Sequence, residues 1–502
     1  MSSGISRRTL IAATATGAAG AALAAGPLAG LAAAAARTPK VLVIGLDGAG
    51  LLDRIKDADA PTLDALMAGG LTAPTSLYAS PMARTESAPG WSTIITGVWP
   101  DKHGVKDNSF SGANYTAYPD FLTRIERARP ALSTYAVASW APITDTIFSS
   151  AVDQRDSTPA AEYDTGTTSR AVARIKNNNP DAVFLQLDNV DHAGHSSGAA
   201  SQAYLDAIHG VDAQVAQILA AVKSRPTHPS EDWLILITAD HGHTDAGGHG
   251  GSSRPERSTF IIANGSGIPA GSTRYDTKIV DIAATALAHL GIPADPSWNL
   301  DGRSLKQTYP DPFDALRPQL SRAVDETDIG STVLGFTHTP PPGWSIDNSA
   351  MGTGGVTEWR GWSFTTDEFW TKAAPDQQRE SNVRARGIFA VADGDEWSDK
   401  PLTGTFASTL TTPAWPVTPG TPTTLTYTSH YRQESPQKGE VLVSYDNGTP
   451  QTVKTHTTDG LARQERIPLQ IPVGARSVRI QFRYTGGNNW YWVIDGVTVT
   501  AG

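Results

Sequence analysis

The chain has 502 residues and a formal net charge of -10; 39% of its residues are hydrophobic and 18% are charged. This length and composition predict two or three folded domains and exclude global disorder. The negative charge argues against a general nucleic-acid-binding surface, and the absence of cysteine excludes disulfides and cysteine catalysis.

The first 36 residues are predicted to form a twin-arginine signal peptide. Arg7 and Arg8 stand in "SRRTLI", ahead of an alanine-rich stretch that ends in an Ala-Ala-Ala suited to cleavage near Ala36. A membrane anchor is the alternative, but Pro27, the glycines and the weak apolarity of alanine argue against a stable span. We therefore expect a secreted or cell-surface protein, exported by the twin-arginine route, with no membrane span after signal removal.

Residues 40–308 are predicted to form an α/β domain with a mostly parallel sheet covered by helices. Continuous apolar runs such as "KVLVIGLD", "AVFLQLD" and "WLILITAD" are typical of strands buried on both faces. The segments between them, such as "AYLDAIHGVDAQVAQILAAVKS", show helical periodicity. This alternation of strands and helices favours a sheet with helices on both faces.

The C-terminal third has a different pattern. Residues 309–342 are proline-rich and polar, which predicts a linker. From 343 to 502, alternating segments such as "EVLVSYDNG" and "SVRIQFRYTGG" predict an antiparallel β-sandwich of jelly-roll type. We expect this to be an ancillary binding domain.

Acidic and histidine side chains fall into three short clusters along the first domain. The clusters are Asp47 in "VLVIGLDGAG", Asp191 with His195 in "DNVDHAGH", and Asp240, His241 and His249 in "TADHGHTDAGGHGG". Each carboxylate follows an apolar run, so each is expected at the carboxyl end of a parallel strand, where open α/β sheets bind ligands. Carboxylates and imidazoles together suit zinc or a similar divalent ion.

A serine precedes a predicted helix in "ESAPGWSTIITG". Ser87 would have amide donors and the positive end of the helix dipole beside it, both of which favour a phosphoryl group. Coordination to a metal would activate this hydroxyl as a nucleophile. The alternative is a plain N-cap serine, which the nearby metal clusters make the weaker interpretation.

These motifs, taken in chain order, resemble the alkaline phosphatase superfamily, and most closely its nucleotide pyrophosphatase/phosphodiesterase branch. The family pattern of an Asp, a Thr or Ser before x-Pro, "TG-x-x-P-x-x-HG", "D-x-x-G-H", "DHG" and a later "HG" is met between residues 40 and 305. The resemblance implies one metal held by Asp47, Asp240, His241 and Ser87. It implies a second metal held by Asp191, His195 and His249, with two Zn²⁺ ions as the expected cofactors. Two such ions can activate a nucleophile and neutralise the leaving oxygen.

The resemblance also suggests a role for Asn108, which matches a family asparagine that donates to a phosphoryl oxygen. A turn asparagine is the equal alternative. Thr85 is a rival nucleophile, although its distance from "TG" favours Ser87. Trp140 is either a substrate contact or a core residue. Four further residues are interpreted as structural residues, as residues that support the metal ligands from outside, or as surface residues: His103, His192, His243 and Asp245.

The chain departs from the pattern in three places. Characterised diesterases of this branch use threonine, whereas this chain has serine. The interval from His241 to His249 is short, which puts nucleoside recognition in doubt. Sulfatases place an arginine where this chain has Trp91, so a sulfatase is disfavoured.

Two features of the predicted sandwich have alternative interpretations. "DGDEWSD", from Asp393 to Asp399, is either a Ca²⁺ site or an acidic surface turn. The aromatic residues of "WRGWSF" and "NNWYW" form either a carbohydrate platform, which would allow cell-surface or polysaccharide contact, or part of the core.

The sequence therefore predicts a secreted two-metal hydrolase of small phosphate esters that acts through a phosphoseryl intermediate. A diester or pyrophosphate is the first choice of substrate, and a phosphomonoester is the second. Two alternatives use the chain differently. One is a phosphoryl or phosphoethanolamine transferase, and the other is a non-catalytic binding protein.

Overall fold

The computed structural model describes residues 37–501, and the predicted signal peptide at residues 1–36 lies outside the described residues. Within the described range, no helix combines the length and the apolarity needed to cross a bilayer. From Thr38 onward the chain forms one compact unit, in which the α/β part and the C-terminal β-rich part pack together.

A mixed sheet forms the centre of the α/β part. Among the described residues, its eight strands are β1 (Thr38–Leu46), β2 (Leu71–Ser76), β3 (Thr134–Ala138), β4 (Gln154–Ser157), β5 (Ala182–Leu187), β6 (Glu231–Thr238), β7 (Ser258–Asn264) and β8 (Ser272–Thr273). Their order is β4-β3-β5-β1-β6-β7-β2-β8. The five strands from β4 to β6 run parallel, and β7 is antiparallel to both of its neighbours. The predicted mostly parallel sheet is confirmed.

Helices cover both faces of this sheet. They are α1 (Leu52–Asp57), α2 (Pro61–Gly69), α3 (Ser87–Thr96), α4 (Pro100–His103), α5 (Phe121–Ala128), α6 (Tyr163–Asn177), α7 (Asn189–Ser197), α8 (Gln202–Lys223), α9 (Arg254–Arg257) and α10 (Asp281–His289). Val41 and Val43 of β1 pack with α3, α5 and α10, whereas Leu42 and Ile44 pack with α2, α6 and α8. Successive side chains of a strand point to opposite faces, so a strand covered on both sides is apolar throughout.

The C-terminal part is built from antiparallel strands. They are β9 (Phe336–Thr337), β10 (Ser345–Asp347), β11 (Thr353–Gly354), β12 (Ser363–Thr366), β13 (Ile388–Asp393), β14 (Leu402–Thr403), β15 (Phe406–Thr411), β16 (Trp415–Pro416), β17 (Thr423–Tyr431), β18 (Lys438–Tyr445), β19 (Gln451–His456), β20 (Gly460–Leu469), β21 (Ser477–Gly486) and β22 (Tyr491–Ala501). Two helices accompany them, α11 (Asp367–Ala373) and α12 (Gly394–Trp397). In the described part of the chain the strands form one sheet of order β20-β17-β22-β13-β12-β9 and another of order β10-β15-β21-β18-β19, in which β16 also pairs with β21. The short strands β11 and β14 pair only with each other. The predicted antiparallel architecture is confirmed.

The segment predicted as a linker, residues 309–342, packs against the C-terminal sheets. Phe313, Leu316 and Phe336 are buried in the aromatic-rich core of that part, and β9 pairs with β12. The proline-rich composition concealed these widely spaced apolar residues. The segment is therefore an integral layer of the C-terminal part, while the predicted domain boundaries remain predictions.

The aromatic residues considered for a carbohydrate platform belong to the core, except Trp490, which is half-buried and packs against it. Trp359, Trp362, Tyr491 and Trp492 are fully buried. The platform interpretation is wrong for these residues, because the side chains that would stack on a sugar face the interior.

The acidic "DGDEWSD" segment surrounds a buried guanidinium. Arg379 Nη2 lies 3.1 Å from Asp393 Oδ2 and 2.8 Å from Glu396 Oε1. The arginine neutralises part of the negative charge of this segment, while burial still raises the pKa of Glu396 to about 8.

Buried ion pairs join the two parts. Arg386 Nη1 lies 2.8 Å from Asp281 Oδ2, and Arg384 Nε lies 3.1 Å from Asp301 Oδ1. Val383, from the C-terminal part, packs in the core beneath α3 and α10. The C-terminal part is therefore docked on the α/β part over a buried contact and is not held only by a tether.

Candidate metal centre

Three adjacent strands bring the acidic residues together. The central strand β1 pairs with β5 on one side and with β6 on the other. Asp47 follows β1, Asp188 follows β5 and Asp240 lies two residues after β6. Because these strands are parallel, their carboxyl ends meet at one edge of the sheet. The sequence predicts this position for Asp47 and Asp240, whereas Asp191, also predicted at a strand end, lies in α7 and Asp188 follows β5 in its place.

The first cluster contains Ser87, Asp47, Asp240 and His241. The Ser87 Oγ atom, at the start of α3, lies 3.4 Å from Asp47 Oδ1 and 3.3 Å from His241 Nε2. The same nitrogen lies 3.3 Å from Asp240 Oδ2 and 3.6 Å from Asp47 Oδ1. The structure thus brings together all four residues predicted for the first metal.

The second cluster contains Asp191, His195 and His249. His195 Nε2 lies 3.3 Å from Asp191 Oδ2 and 3.0 Å from His249 Nε2. His249 Nε2 lies 3.6 Å from Asp191 Oδ1. The clusters are neighbours, since Asp191 Oδ1 is 3.9 Å from His241 Nε2 of the first.

These spacings fit tetrahedral cations. Ligand atoms bound about 2.0–2.2 Å from a tetrahedral ion lie about 3.3–3.6 Å apart, and both clusters match this within a few tenths of an ångström. The buried Oδ2 atom of Asp240 accepts no hydrogen bond from the described residues. A buried carboxylate oxygen needs a compensating partner, and a cation would supply it. The residues therefore fit a pair of divalent ions.

Protein donors orient both carboxylates of the first cluster. Trp91 Nε1 and Gln186 Nε2 donate to Asp47 Oδ2 over 2.7 and 2.8 Å, which leaves Oδ1 toward Ser87. The backbone N–H of Gly48 donates to Asp240 Oδ1 over 3.1 Å. Each carboxylate is thus held by one oxygen and presents the other to the cluster, as outer partners of metal ligands do.

The pKa shifts of the first cluster also favour a bound positive charge. Burial and the neighbouring carboxylates Asp240 and Asp191 raise the pKa of Asp47 well above its usual value. Burial and Asp191 raise the pKa of Asp240 in the same way. Burial lowers the pKa of His241 well below its usual value, so this imidazole is neutral and available as a ligand.

The second cluster titrates differently. Burial opposes ionisation of Asp191, but hydrogen bonds with His195 and His243 hold the pKa of Asp191 below its usual value. The hydrogen bond to Asp191 raises the pKa of His195. Burial lowers the pKa of His249. The site therefore holds an ionised carboxylate beside imidazoles of unequal basicity.

Thr85 shapes the loop that carries His249. His249 Nδ1 donates to the Thr85 carbonyl over 2.7 Å, which directs Nε2 toward the second cluster. The Thr85 hydroxyl accepts from Gly250 N and donates to the Gly251 carbonyl, both over 2.9 Å. Because this hydroxyl already has two backbone partners, Ser87 is the better candidate nucleophile.

Asn108 lies beside the nucleophile. Its side-chain oxygen accepts from the backbone N–H of Ala88 over 2.8 Å, in the first turn of α3. Its own backbone N–H donates to Glu86 Oε2 over 2.8 Å. Since the oxygen is turned to the backbone, the amino group is the end of this amide that can donate to a substrate.

The other sequence candidates take structural or peripheral positions. His103 is buried and bonds to the hydroxyl of Thr93 over 3.0 Å, so it supports the loop after α3. Trp140 is half-buried and stacks on Phe110 with ring centroids 6.0 Å apart. His192 is exposed and takes no place in either cluster.

Two further residues lie near the centre: Asp188, which the sequence did not single out, and His243, which it did not assign to a metal. Asp188 comes within 4.8 Å of Asp47 and Asp191, and its carboxylate accepts from Tyr163 and Gln186. Asp188 follows an apolar strand as Asp47 does, so the same sequence pattern could have identified it as a residue of the site. His243, interpreted as second-shell or surface, is fully buried, and its Nε2 lies 2.8 Å from Asp191 Oδ1.

Two family models match parts of the chain. A family model for type I phosphodiesterase / nucleotide pyrophosphatase matches residues 41–251. A second family model, a domain of unknown function (DUF4983), matches residues 266–306. The α/β part has an alkaline-phosphatase-like fold, and its Asp/His clusters lie within the residues that the first model matches. Residues 41–251, less than half of the chain, are thus similar to the type I phosphodiesterase / nucleotide pyrophosphatase family of the alkaline phosphatase superfamily.

Curated relatives carry two kinds of name. GPI ethanolamine phosphate transferase 2 of Aspergillus fumigatus is 26% identical over 251 residues, which cover 45% of this chain and 32% of the relative. Its counterpart in Eremothecium gossypii is 34% identical over 101 residues, or 20% of this chain and 12% of the relative. Ectonucleotide pyrophosphatase/phosphodiesterase family member 3 of Mus musculus is 25% identical over 184 residues, which cover 33% of this chain and 21% of the relative. The matches thus span about a third or less of these relatives.

Among solved structures, murine ectonucleotide pyrophosphatase / phosphodiesterase 5 is similar with a TM-score of 0.42 and 15% identity, over 51% of this chain and 96% of that chain. A 2-O GAG sulfatase is similar with a TM-score of 0.41 and 16% identity, over 55% of this chain and 76% of that chain.

Proposed function

We propose that the protein hydrolyses phosphate esters through a phosphoseryl intermediate on Ser87, with diesters or pyrophosphates as the first substrate class. The position of Ser87 carries this proposal. Its Oγ lies 3.3–3.4 Å from two residues of the first cluster and at the N-terminal end of α3. Amide groups and the helix dipole at such an end favour a phosphoryl group.

Bound divalent cations, for which the mixed carboxylate and imidazole set suits Zn²⁺, would activate the serine hydroxyl and neutralise the leaving oxygen. Ser87 Oγ attacks phosphorus, and the leaving oxygen departs from the opposite side. Asn108 Nδ2 donates to a phosphoryl oxygen as charge develops there. Water then breaks the bond between phosphorus and Ser87 Oγ and releases phosphate or a phosphomonoester.

Turnover of two chromogenic substrates tests the proposal. We expect the metal-loaded protein to hydrolyse bis-p-nitrophenyl phosphate faster than p-nitrophenyl phosphate, to lose activity in chelator and to regain it with Zn²⁺. A faster rate on the monoester would identify a phosphomonoesterase instead. Absence of turnover on both, together with no bound divalent ion by metal analysis, would support the non-catalytic binding protein.

The second candidate is a phosphoryl or phosphoethanolamine transferase. The names of the Aspergillus fumigatus and Eremothecium gossypii relatives favour it. The two reactions share the attack by Ser87 and differ in the acceptor of the second step. Turnover of bis-p-nitrophenyl phosphate with added ethanolamine or glycerol separates them, since a transferase forms a new ester in place of the hydrolysis product.

We infer export by the twin-arginine route from the sequence of residues 1–36. Replacement of Arg7 and Arg8 by lysine is expected to retain the protein in the cytoplasm of the producing cell. Cell fractionation with the wild-type protein as control measures this. Unchanged export of the double variant would contradict the assignment.

A further inference from the structure

A cavity of about 400 Å³ lies where the C-terminal part meets the α/β part, on residues that the metal centre does not use. Its wall comes from the end of β2, from α9, from the start of α11 and from the 3-10 helix Asp314–Gln319. Cavities of this size hold small molecules. Three acidic and three basic side chains line it: Asp53, Asp367, Glu368, Arg254, Lys278 and Arg317.

Each acidic residue of the wall already has a cationic partner. Asp53 pairs with Lys56 over 3.3 Å, and Glu368 pairs with Lys372 over 2.8 Å. Asp367 is shared by Arg254 Nη1 over 3.3 Å and Arg257 Nη2 over 3.2 Å, and it also accepts from Ser76 Oγ over 2.9 Å. Every acidic side chain of the wall is therefore paired with a basic side chain.

Two of the basic residues have no such partner. Lys278 is only 5% exposed, and its ammonium group forms no hydrogen bond or ion pair with residues 37–501. The carboxylate that acts on it most strongly, Asp367, is already paired with Arg254 and Arg257. Arg317 rests on the ring of Tyr275, 3.3 Å from the ring centroid, and forms no ion pair with the described residues. An ammonium buried without an acceptor is costly, and an anion in the cavity would remove that cost.

We propose that this cavity is a binding site for a phosphate or sulfate group, held by Lys278 and Arg317. Two cations match a dianionic oxyanion. A guanidinium can contact two oxygens of such a group, while an ammonium acts as a point charge. Burial lowers the pKa of Lys278 to about 8, so the ammonium form still predominates at neutral pH. The volume leaves room for an organic part beside the anionic group.

Equilibrium dialysis of the full metal-loaded protein against radiolabelled inorganic phosphate tests the proposal. The metal centre also binds phosphate, so the informative quantity is the difference between variants. Lys278→Met is expected to bind one phosphate fewer per chain than the wild type, and Lys278→Arg to retain that phosphate. Arg317→Gln is expected to weaken the same site at least about tenfold, as loss of a charged hydrogen-bond donor does.

The matched control is Lys176→Met, an exposed lysine on α6 that is expected to bind as much phosphate as the wild type. Equal phosphate binding by the wild type, Lys278→Met and Arg317→Gln would overturn the proposal. If Lys278→Met does not fold, phosphate binding by Arg317→Gln, whose substitution lies on a partly exposed helix, still decides between the two results. Phenylphosphonate, which has no ester bond, separates the two sources: tighter binding than phosphate indicates a phosphorylated organic ligand, and weaker binding indicates the free anion.

Discussion

His243 Nε2 lies 2.8 Å from Asp191 Oδ1, and two glycines leave the space that the imidazole ring occupies. A Cβ atom on Gly194 would meet the His243 ring at 2.5 Å, and one on Gly48 would meet it at 2.8 Å. The contact with Asp191 has the length of a hydrogen bond. Although Asp191, His241, His243 and His249 also lie close enough to share one ion, we interpret His243 as a positioning residue that donates to Asp191.

His243→Leu is expected to weaken metal binding about 10–100-fold, because loss of an outer hydrogen bond frees the ligating carboxylate. Competition with a chromogenic chelator measures this directly. His243→Gln, which keeps a donor, should recover part of the affinity. The exposed His192→Ala is the control and should bind metal as the wild type does. Wild-type affinity in His243→Leu would show that the contact with Asp191 does not position the ligand.

Ser87→Ala is expected to lower turnover of bis-p-nitrophenyl phosphate at least about a thousandfold, and excess Zn²⁺ should not restore it, because the attacking oxygen is gone. Thr85→Val makes the comparison. It removes the hydroxyl that holds Gly250 and Gly251, so it should weaken metal binding, and excess Zn²⁺ should recover its rate. If Thr85→Val were the inactive variant and Ser87→Ala retained turnover, the nucleophile assignment would be reversed.

The sheet and the predicted ligands follow from local sequence pattern. An apolar run followed by a carboxylate, as at Asp47, predicts a buried strand. It also predicts that the carboxylate lies at the edge of the sheet where the parallel strands end. The two-face packing of β1 is likewise encoded in alternate residues of one short run. Such features depend on neighbours along the chain, so one sequence suffices to predict them.

The remaining features depend on contacts between distant segments. His243 is a positioning residue only because Gly48 and Gly194 leave space for its ring. The segment 309–342 has a linker composition, yet Phe313 and Phe336 find partners in strands far along the chain. The unpaired charge of Lys278 becomes visible only when the C-terminal part is packed beside it. Spacing along the chain carries none of this information.

Asp367→Asn is expected to lower the free energy of unfolding by on the order of 3 kcal/mol, because Arg257 would remain buried without its carboxylate. Urea unfolding of the metal-loaded protein measures this. Glu368→Gln is the neighbouring control: its partly exposed pair with Lys372 should contribute less than about 1 kcal/mol. Equal stability of the two variants would show that the ion pairs around Asp367 do not hold the two parts together.

Metal binding is expected to release protons and to weaken as the pH falls. Burial and nearby carboxylates raise the pKa of Asp47 and Asp240, and the hydrogen bond to Asp191 raises the pKa of His195. Groups with raised pKa values hold protons that a cation must displace, so the number released grows as the pH decreases. Each proton released lowers the apparent affinity up to about tenfold per pH unit.

Calorimetric titration of chelator-treated protein with Zn²⁺ in two buffers of different ionisation enthalpy, at about pH 6 and about pH 8, counts these protons. A constant affinity with no proton release across this range would show that the clusters are already deprotonated before the metal binds.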